Sequence, residues 1–345
     1  MAPPLPNPLR HFEWQRETRA GQRSLSATQV PGAQKSRGGI DFLKMPKQTR
    51  ASRIARPTAG NPEIAEVQIF RCGTENVSGQ QTDFLAREEP LEIRVRGQSV
   101  AITMRTPGRD AELAVGFLLG EGMIGSAAEV VGCAPCGQGS GGGTDNIWNV
   151  FLAPSVAVDF ERLTRHVFAS SSCGLCGKAS IDAVRQQFPA AAPRVTVSVG
   201  TLASLPAKLR AAQLSFAQTG GLHAAGLFTA RGKLLVLRED VGRHNAVDKV
   251  LGHALLAGWL PLDRHVLLVS GRASFEILQK ALAAGIGIIC AVSAPTSLAV
   301  EFARDSGQTL VGFLRGGNMN VYSHPERLRS TGRRAPLPSE TAGGG

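Results

Sequence analysis

Aromatic residues are scarce in this chain, with one Tyr, three Trp and fourteen Phe among 345 residues. No ladder of basic residues interleaved with aromatics is present, so the sequence offers no surface that both stacks bases and tracks a phosphate backbone. Nucleic-acid binding is therefore not expected. Long hydrophobic runs are also missing. The longest, 281–294, is too short to span a bilayer and contains Gly285 and Gly287. No secretory h-region is visible, and no membrane attachment is expected. Six cysteines in a chain of this length do not make a disulfide framework. The expected setting is a reducing cytoplasm, where paired cysteines usually mean chemistry or metal.

The net charge of +11 is concentrated at the ends. Residues 1–60 hold eleven Lys/Arg against three Asp/Glu, and residues 324–345 hold four Arg against two Glu, which leaves the middle near neutral. The start is rich in Pro and Arg and poor in apolar runs. It reads as a disordered basic extension over 1–62, or as a consequence of a start assigned before Met45. A second disordered tail is expected over 329–345.

Between these ends the pattern predicts two folded units joined by a short segment. Residues 63–165 read as a small β-rich domain. It has a strand over 63–71, a hairpin of 90–95 and 100–105, a helix from Asp110 to Leu119, a Gly-rich loop over 132–145 and a strand over 146–152. Residues 201–328 alternate strand and helix, which predicts a three-layer α/β/α domain with a mostly parallel sheet. Helices are expected over 207–218, 245–256, 274–284 and 296–304, and strands over 222–228, 233–238, 266–269, 286–292 and 309–314. The joining segment, 166–200, carries the most distinctive motif of the chain, Cys173-Gly174-Leu175-Cys176-Gly177. Ile181, Val184 and Phe188 follow at helical spacing, which puts both thiols at a helix N-terminus beside Lys178. Unpaired N–H groups and nearby positive charge there favour a thiolate, the species that attacks sulfur. A structural disulfide or half of a zinc site fits the motif equally well.

In open α/β sheets ligands bind beyond the carboxyl ends of strands. Four such ends are rich in Ser, Thr, Gly and Arg: Glu239 to Asn245, Ser270 to Ser274, Ser293 to Thr296, and Arg315 to Asn318. Helix N-termini with these residues suit anions, and several together suit a ligand with more than one phosphate. Against this, Ser274, Asn245 and Thr296 are also ordinary helix caps.

Five ordered segments carry a resemblance. They are Ser171-Ser172-Cys173-Gly174-Leu175-Cys176-Gly177, Glu239-Asp240-Val241-Gly242-Arg243-His244-Asn245-Ala246-Val247-Asp248-Lys249, Ser270-Gly271-Arg272-Ala273-Ser274-Phe275-Glu276, Ala291-Val292-Ser293-Ala294-Pro295-Thr296 and Val321-Tyr322-Ser323-His324-Pro325. Over about residues 63–328 the chain resembles the FdhD family, the sulfurtransferase accessory proteins of formate dehydrogenase. The resemblance implies a carrier that moves persulfide sulfur from a cysteine desulfurase to the molybdenum bis(molybdopterin guanine dinucleotide) cofactor, before that cofactor enters formate dehydrogenase. It implies that Cys173 bears the persulfide, with Cys176 beside it. It also implies a cofactor-binding segment at Phe313, Leu314, Arg315, Gly316, Gly317 and Asn318, a cytidine-deaminase-like second domain, and a homodimer. Arg243, His244 and Arg272 are further candidates for gripping the cofactor, although His244 could instead pair with Asp248 four positions on.

Two other chemistries compete with this reading. Cys133 and Cys136 form a second CxxC, so four thiolates with Cys173 and Cys176 would make a zinc site. A nucleobase deaminase needs His-x-Glu followed by Pro-Cys-x-x-Cys, but Ala225 stands where the Glu should be and no such cysteine pair follows. His223 then reads as a core histidine ahead of a ligand contact, and Cys72 and Cys290 as packing residues.

Overall fold

The computed structural model describes residues 61–74, 77–136, 146–160, 188–192 and 194–330, all within one compact unit, Arg53–Gly345. The terminal extensions and the Cys173–Cys176 segment with its expected helix lie outside the described residues.

The fold is α/β, as expected, and a six-stranded sheet forms its centre. Its strands in chain order are β8 (His223–Thr229), β9 (Leu234–Asp240), β10 (His265–Val269), β11 (Ile288–Ala291), β12 (Thr309–Arg315) and β13 (Asn318–Ser323). Their order across the sheet is β13-β12-β11-β10-β8-β9. The expectation of a mostly parallel sheet is corrected here. Only β10, β11 and β12 run parallel, while β8 is antiparallel to β10, β9 to β8 and β13 to β12. The reason is connection length. Helices α5 (Phe275–Ala283) and α6 (Ser297–Asp305) supply the crossovers that parallel neighbours need, whereas β8–β9 and β12–β13 are joined by tight turns that permit only antiparallel pairing.

Alternation along the strands sends side chains to two apolar layers. On one face Ala224, Phe228, Val266, Leu268, Ile288 and Cys290 pack with Leu202, Leu205 and Leu209 of α2 (Val199–Ala212). On the other, Ala225, Leu227, Leu267, Val269, Ile289 and Ala291 pack with α5, α6 and α4 (Arg243–Leu256). The expected helix over 207–218 is two helices. Helix α2 follows the two-residue strand β7 (Val197–Ser198), which pairs with β14 (Leu328–Arg329); it begins eight residues earlier than expected and runs through Pro206, and a second short helix, α3 (Leu214–Thr219), follows Gln213.

The second face carries a further layer. Helix α1 (Asp110–Gly120) lies on α4 with backbones in contact, since a Cβ on Gly116 would fall 1.8 Å from the Asp248 carbonyl oxygen and one on Gly252 equally close to that of Glu112. Asp110 does not cap α1 as expected. The N-cap is Arg109, in a left-handed conformation, and both Asp110 carboxylate oxygens are held by the buried Arg105 guanidinium at 2.8 and 3.1 Å. Above α1 lies a four-stranded sheet ordered β4-β3-β6-β5, built from β3 (Glu89–Val95), β4 (Gln98–Arg105), β5 (Val130–Pro135) and β6 (Ile147–Leu152). Its inward residues Leu91, Ile93, Val95, Val100, Val150 and Leu152 belong to the same apolar cluster as α1, α4 and the large sheet. Cys133 thus sits in strand β5, not in the Gly-rich loop expected there. An antiparallel ribbon of β1 (Ile64–Cys72) and β2 (Val77–Ala86) precedes this sheet, and Cys72 on it is exposed instead of packed.

The glycine contact between α1 and α4 gives a test. Gly116→Ala forces two backbones apart and should destabilise the protein by about 3 kcal/mol or more in urea unfolding. Gly125→Ala, at a position with open space, should change stability by less than about 0.5 kcal/mol.

Candidate anion site at the carboxyl edge of the large sheet

The edge is organised by a buried ion pair. Asp240 ends β9 and is wholly buried, and its Oδ2 lies 2.8 Å from Nζ of the equally buried Lys249. The carboxylate's remaining acceptor positions are filled. Asp240 Oδ1 accepts from the Gly242 N–H at 2.7 Å and from Asn245 Nδ2 at 3.0 Å, and Oδ2 accepts from the Thr106 N–H at 3.2 Å. Lys249 Nζ also donates to the Thr106 carbonyl at 2.8 Å, and Asn245 Nδ2 to that of Met104 at 2.8 Å. These bonds fix the turn between β9 and α4 and tie it to the end of β4. Gly242 is the N-cap of α4, and Arg243 and His244 are its first residues. Asn245, a cap candidate by sequence, is inside the helix and serves Asp240.

The expected His244–Asp248 pairing does not form. Asp248 faces the interior and pairs with Lys280 at 2.8 Å, and burial lifts its carboxyl to about 6 although Lys280 opposes this. His244 Nε2 instead meets Glu276 Oε2 at 2.9 Å and Ser274 Oγ at 3.1 Å. That contact, ahead of the opposing effect of burial, holds the Glu276 carboxyl below its usual range. Ser274 is the N-cap of α5 without a side-chain cap bond, while Thr296 does cap α6 through Ala299 N at 3.3 Å.

The loops after the parallel strands interlock. Ala273 N donates to the Ala294 carbonyl at 3.2 Å, Thr296 N to that of Ala273 at 3.0 Å, and Phe313 N to that of Ser293 at 3.0 Å. Phe313 has φ +51°, a left-handed conformation that a side chain rarely adopts and that the surrounding bonds must hold in place. Leu314 is fully buried among the residues under α2 and cannot face a ligand. Arg315 is exposed, with its guanidinium 5.8 Å from the Phe313 ring centroid. Gly316 and Gly317, with φ +58° and +81°, form the two-residue turn to Asn318 that both positive φ values require. Because β12 is parallel to β10 and β11, this turn lies at the same sheet edge as Arg272 and Ser274.

Arg243, His244 and Arg272 are brought together, and the residue they surround is His223, which the sequence reading had assigned to the core. His223 opens β8 directly opposite Asp240 and is half-buried. Burial lowers its pKa first, Arg243 and His244 lower it further, Asp240 opposes them and Arg272 adds to the lowering. A Cβ on Gly271 would stand 3.4 Å from His223 Nδ1 and 3.8 Å from Arg243 Cβ, so the glycine leaves a gap between the two side chains. Among the described residues neither Arg243 nor Arg272 has an ion pair. The Arg243 Nε is buried without a hydrogen-bond partner. Guanidinium groups without a carboxylate partner beside an imidazole of lowered pKa have the chemistry that an anion requires, which makes this edge the candidate site. In the sequence His223 was marked only by the incomplete His-x-Glu pattern, which left ligand contact as its lesser reading.

Zinc gains no support among the described residues, where no group of three or more His, Cys, Asp or Glu is placed to hold a metal. Cys133 packs against the core, and burial, with a smaller effect of Asp110, pushes its thiol up to about 12. Cys136 Sγ accepts from Asn149 Nδ2 at 2.6 Å. Cys290 is buried under α2, as expected, and burial pushes its thiol up. His324 is part of the fold: Nε2 contacts the Arg304 carbonyl in the last turn of α6 at 2.9 Å, and Nδ1 contacts Glu326 at 2.9 Å.

The ion pair that sets this edge is directly testable. Lys249→Met leaves Asp240 buried and uncompensated and should cost about 3–5 kcal/mol in urea unfolding, whereas the double variant Asp240→Asn/Lys249→Met should recover much of that loss.

Comparison with known proteins agrees with the sequence resemblance. A protein named sulfur carrier protein FdhD from Streptomyces avermitilis is 56% identical over 251 residues, which cover 71% of this chain and 89% of that protein. One of the same name from Mycolicibacterium paratuberculosis is 55% identical over 271 residues, covering 76% of this chain and 99% of that protein. The crystal structure of a putative formate dehydrogenase accessory protein from Desulfotalea psychrophila matches with a TM-score of 0.62 at 26% identity, over 78% of this chain and all of that one. The model of the FdhD/NarQ family matches residues 86–329, and the chain belongs to that family.

Proposed function

We propose that this chain is a sulfur carrier that accepts a sulfane sulfur on Cys173 and passes it to a molybdenum cofactor held at the carboxyl edge of the large sheet. The observation that carries the reading is the set of unpaired cations at that edge. Arg243 and Arg272 have no carboxylate partner among the described residues, and the His223 ring beside them has no hydrogen-bond partner there either. An edge with these groups, Arg243 and His223 half-buried and Arg272 exposed, fits a ligand bearing several phosphates. The names of the relatives, sulfur carrier protein and formate dehydrogenase accessory protein, support the same reading.

In the proposed reaction the Cys173 thiolate attacks the terminal sulfur of a cysteine desulfurase persulfide. The S–S bond of the donor breaks, the desulfurase cysteine leaves as a thiolate, and the new bond makes a persulfide on Cys173. Cys176 shields that persulfide or resolves it as a disulfide. The acceptor and cargo is the molybdenum bis(molybdopterin guanine dinucleotide) cofactor, destined for formate dehydrogenase. Arg243, Arg272 and His244 hold its phosphates. Phe313, Arg315, Gly316, Gly317 and Asn318 form a second wall, and Leu314 acts by anchoring that turn from below. The protein works in the cytoplasm as a dimer of identical chains.

Incubation with a cysteine desulfurase and cysteine should add one sulfur atom to the Cys173 peptide by mass spectrometry. Cys173→Ala should abolish the adduct and leave formate dehydrogenase inactive although loaded with molybdenum, while Cys133→Ala and Cys136→Ala should retain both functions. Stoichiometric zinc lost on replacing either cysteine pair would overturn the carrier reading in favour of a structural metal site.

A further inference from the structure

We infer that His223 contacts the bound anion directly, through a ring edge that Gly271 leaves open. The inference rests on reading this edge as an anion site and adds a residue that the family resemblance did not bring in. A histidine that serves only the core has its ring nitrogens satisfied or packed. The His223 ring has no hydrogen-bond partner among the described residues, although the backbone around it is fully engaged. His223 pairs with Asp240 across β8 and β9, and the next residue, Ala224, donates its N–H to Ser270 Oγ at 2.9 Å and accepts from Ser270 N at 2.9 Å. The imidazole is thus held rigidly by its strand while its polar atoms remain available. The gap beside Nδ1 exists because position 271 has no side chain. Any Cβ there would stand between the ring and Arg243.

The charged groups facing His223 come from three elements. Asp240 lies on β9, Arg243 and His244 on α4, and Arg272 on the loop between β10 and α5. Asp240, paired with Lys249, opposes but does not overcome burial and the nearby Arg243, His244 and Arg272, so the His223 pKa is lowered and the neutral imidazole, with one ring nitrogen donating and one accepting, is the favoured form in the free protein. A phosphate bound to Arg243 and Arg272 cancels their charge and brings negative charge to the ring, so the imidazolium becomes favoured. Binding then takes up a proton from solvent. The bound His223 has the higher pKa, so affinity is greatest below the free value, which lies under 6.5, and falls as pH rises through the window up to the bound value.

Titration calorimetry of the full chain with inorganic pyrophosphate, at one pH in buffers of different ionisation enthalpy, reads this proton count. The wild type should bind with net proton uptake, and the His223 resonance should move its titration midpoint upward on saturation. His223→Gln should bind roughly tenfold more weakly and lose the uptake, given the usual strength of hydrogen bonds to charged groups. Gly271→Ala should weaken binding while His223 still titrates. A His223→Gln variant that is folded and keeps wild-type affinity or wild-type proton uptake overturns the inference. If Arg243→Ala still weakens binding in that case, the anion site itself stands. No pyrophosphate binding by the wild type, or binding indifferent to Arg243→Ala, sinks the anion site and the inference together.

Discussion

The buried pair between Asp240 and Lys249 is the constraint on which the site depends. Both charges are removed from water, a situation that is tolerable only when the pair is well hydrogen-bonded. Here those bonds join three parts of the chain: the end of β9, the first turn of α4 and the segment after β4. The pair is buried beneath the candidate ligand site, where Asp240 lies opposite His223. Its effect is geometric, because it fixes where α4 begins and so where Arg243 and His244 stand relative to Arg272 and His223.

The packing around that pair serves the same end. Helices α1 and α4 approach so closely at Gly116 and Gly252 that the small sheet, α1, α4 and the large sheet share one apolar cluster. The edge at which the cations gather is consequently supported from below by a continuous core. Phe313, held in a left-handed conformation by its bond to Ser293, belongs to the same economy of rigid placement: it redirects β12 so that Leu314 is buried while Arg315 and the glycine turn project.

Much of this was legible in the sequence where periodicity was strong. The hairpin of β3 and β4, helices α4, α5 and α6, and strands β10 and β12 fall within a few residues of where their apolar spacing put them. Strand β2 was missed because Val77–Ala86 is mostly polar and pairs only with β1, so no apolar alternation marks it. Strand β5 was hidden by Gly132 and Pro135, and the start of α2 by Pro206, which lies inside a helix whose Leu202, Leu205 and Leu209 pack on the large sheet. Parallel pairing was overestimated because alternation of strand and helix reveals crossovers but not the hairpins at either margin. At the site, Arg243, His244 and Arg272 were legible as charged residues after strand ends. His223 was legible only as a lesser ligand candidate, because nothing local to its strand reveals that two arginines and a second histidine from other elements converge on it.

A sulfur carrier needs a nucleophilic thiol and a place to hold its acceptor. Family membership supports the carrier role, the arginines without carboxylate partners at the sheet edge support a place for an anionic acceptor, and the proposal joins the two: sulfur reaches the cofactor by way of Cys173. The most direct measurement follows isotopically labelled sulfur from cysteine, through a desulfurase and this protein, into the molybdenum cofactor of formate dehydrogenase. The account predicts label in the cofactor with the wild-type chain and none with Cys173→Ser. Equal labelling by both proteins would contradict it.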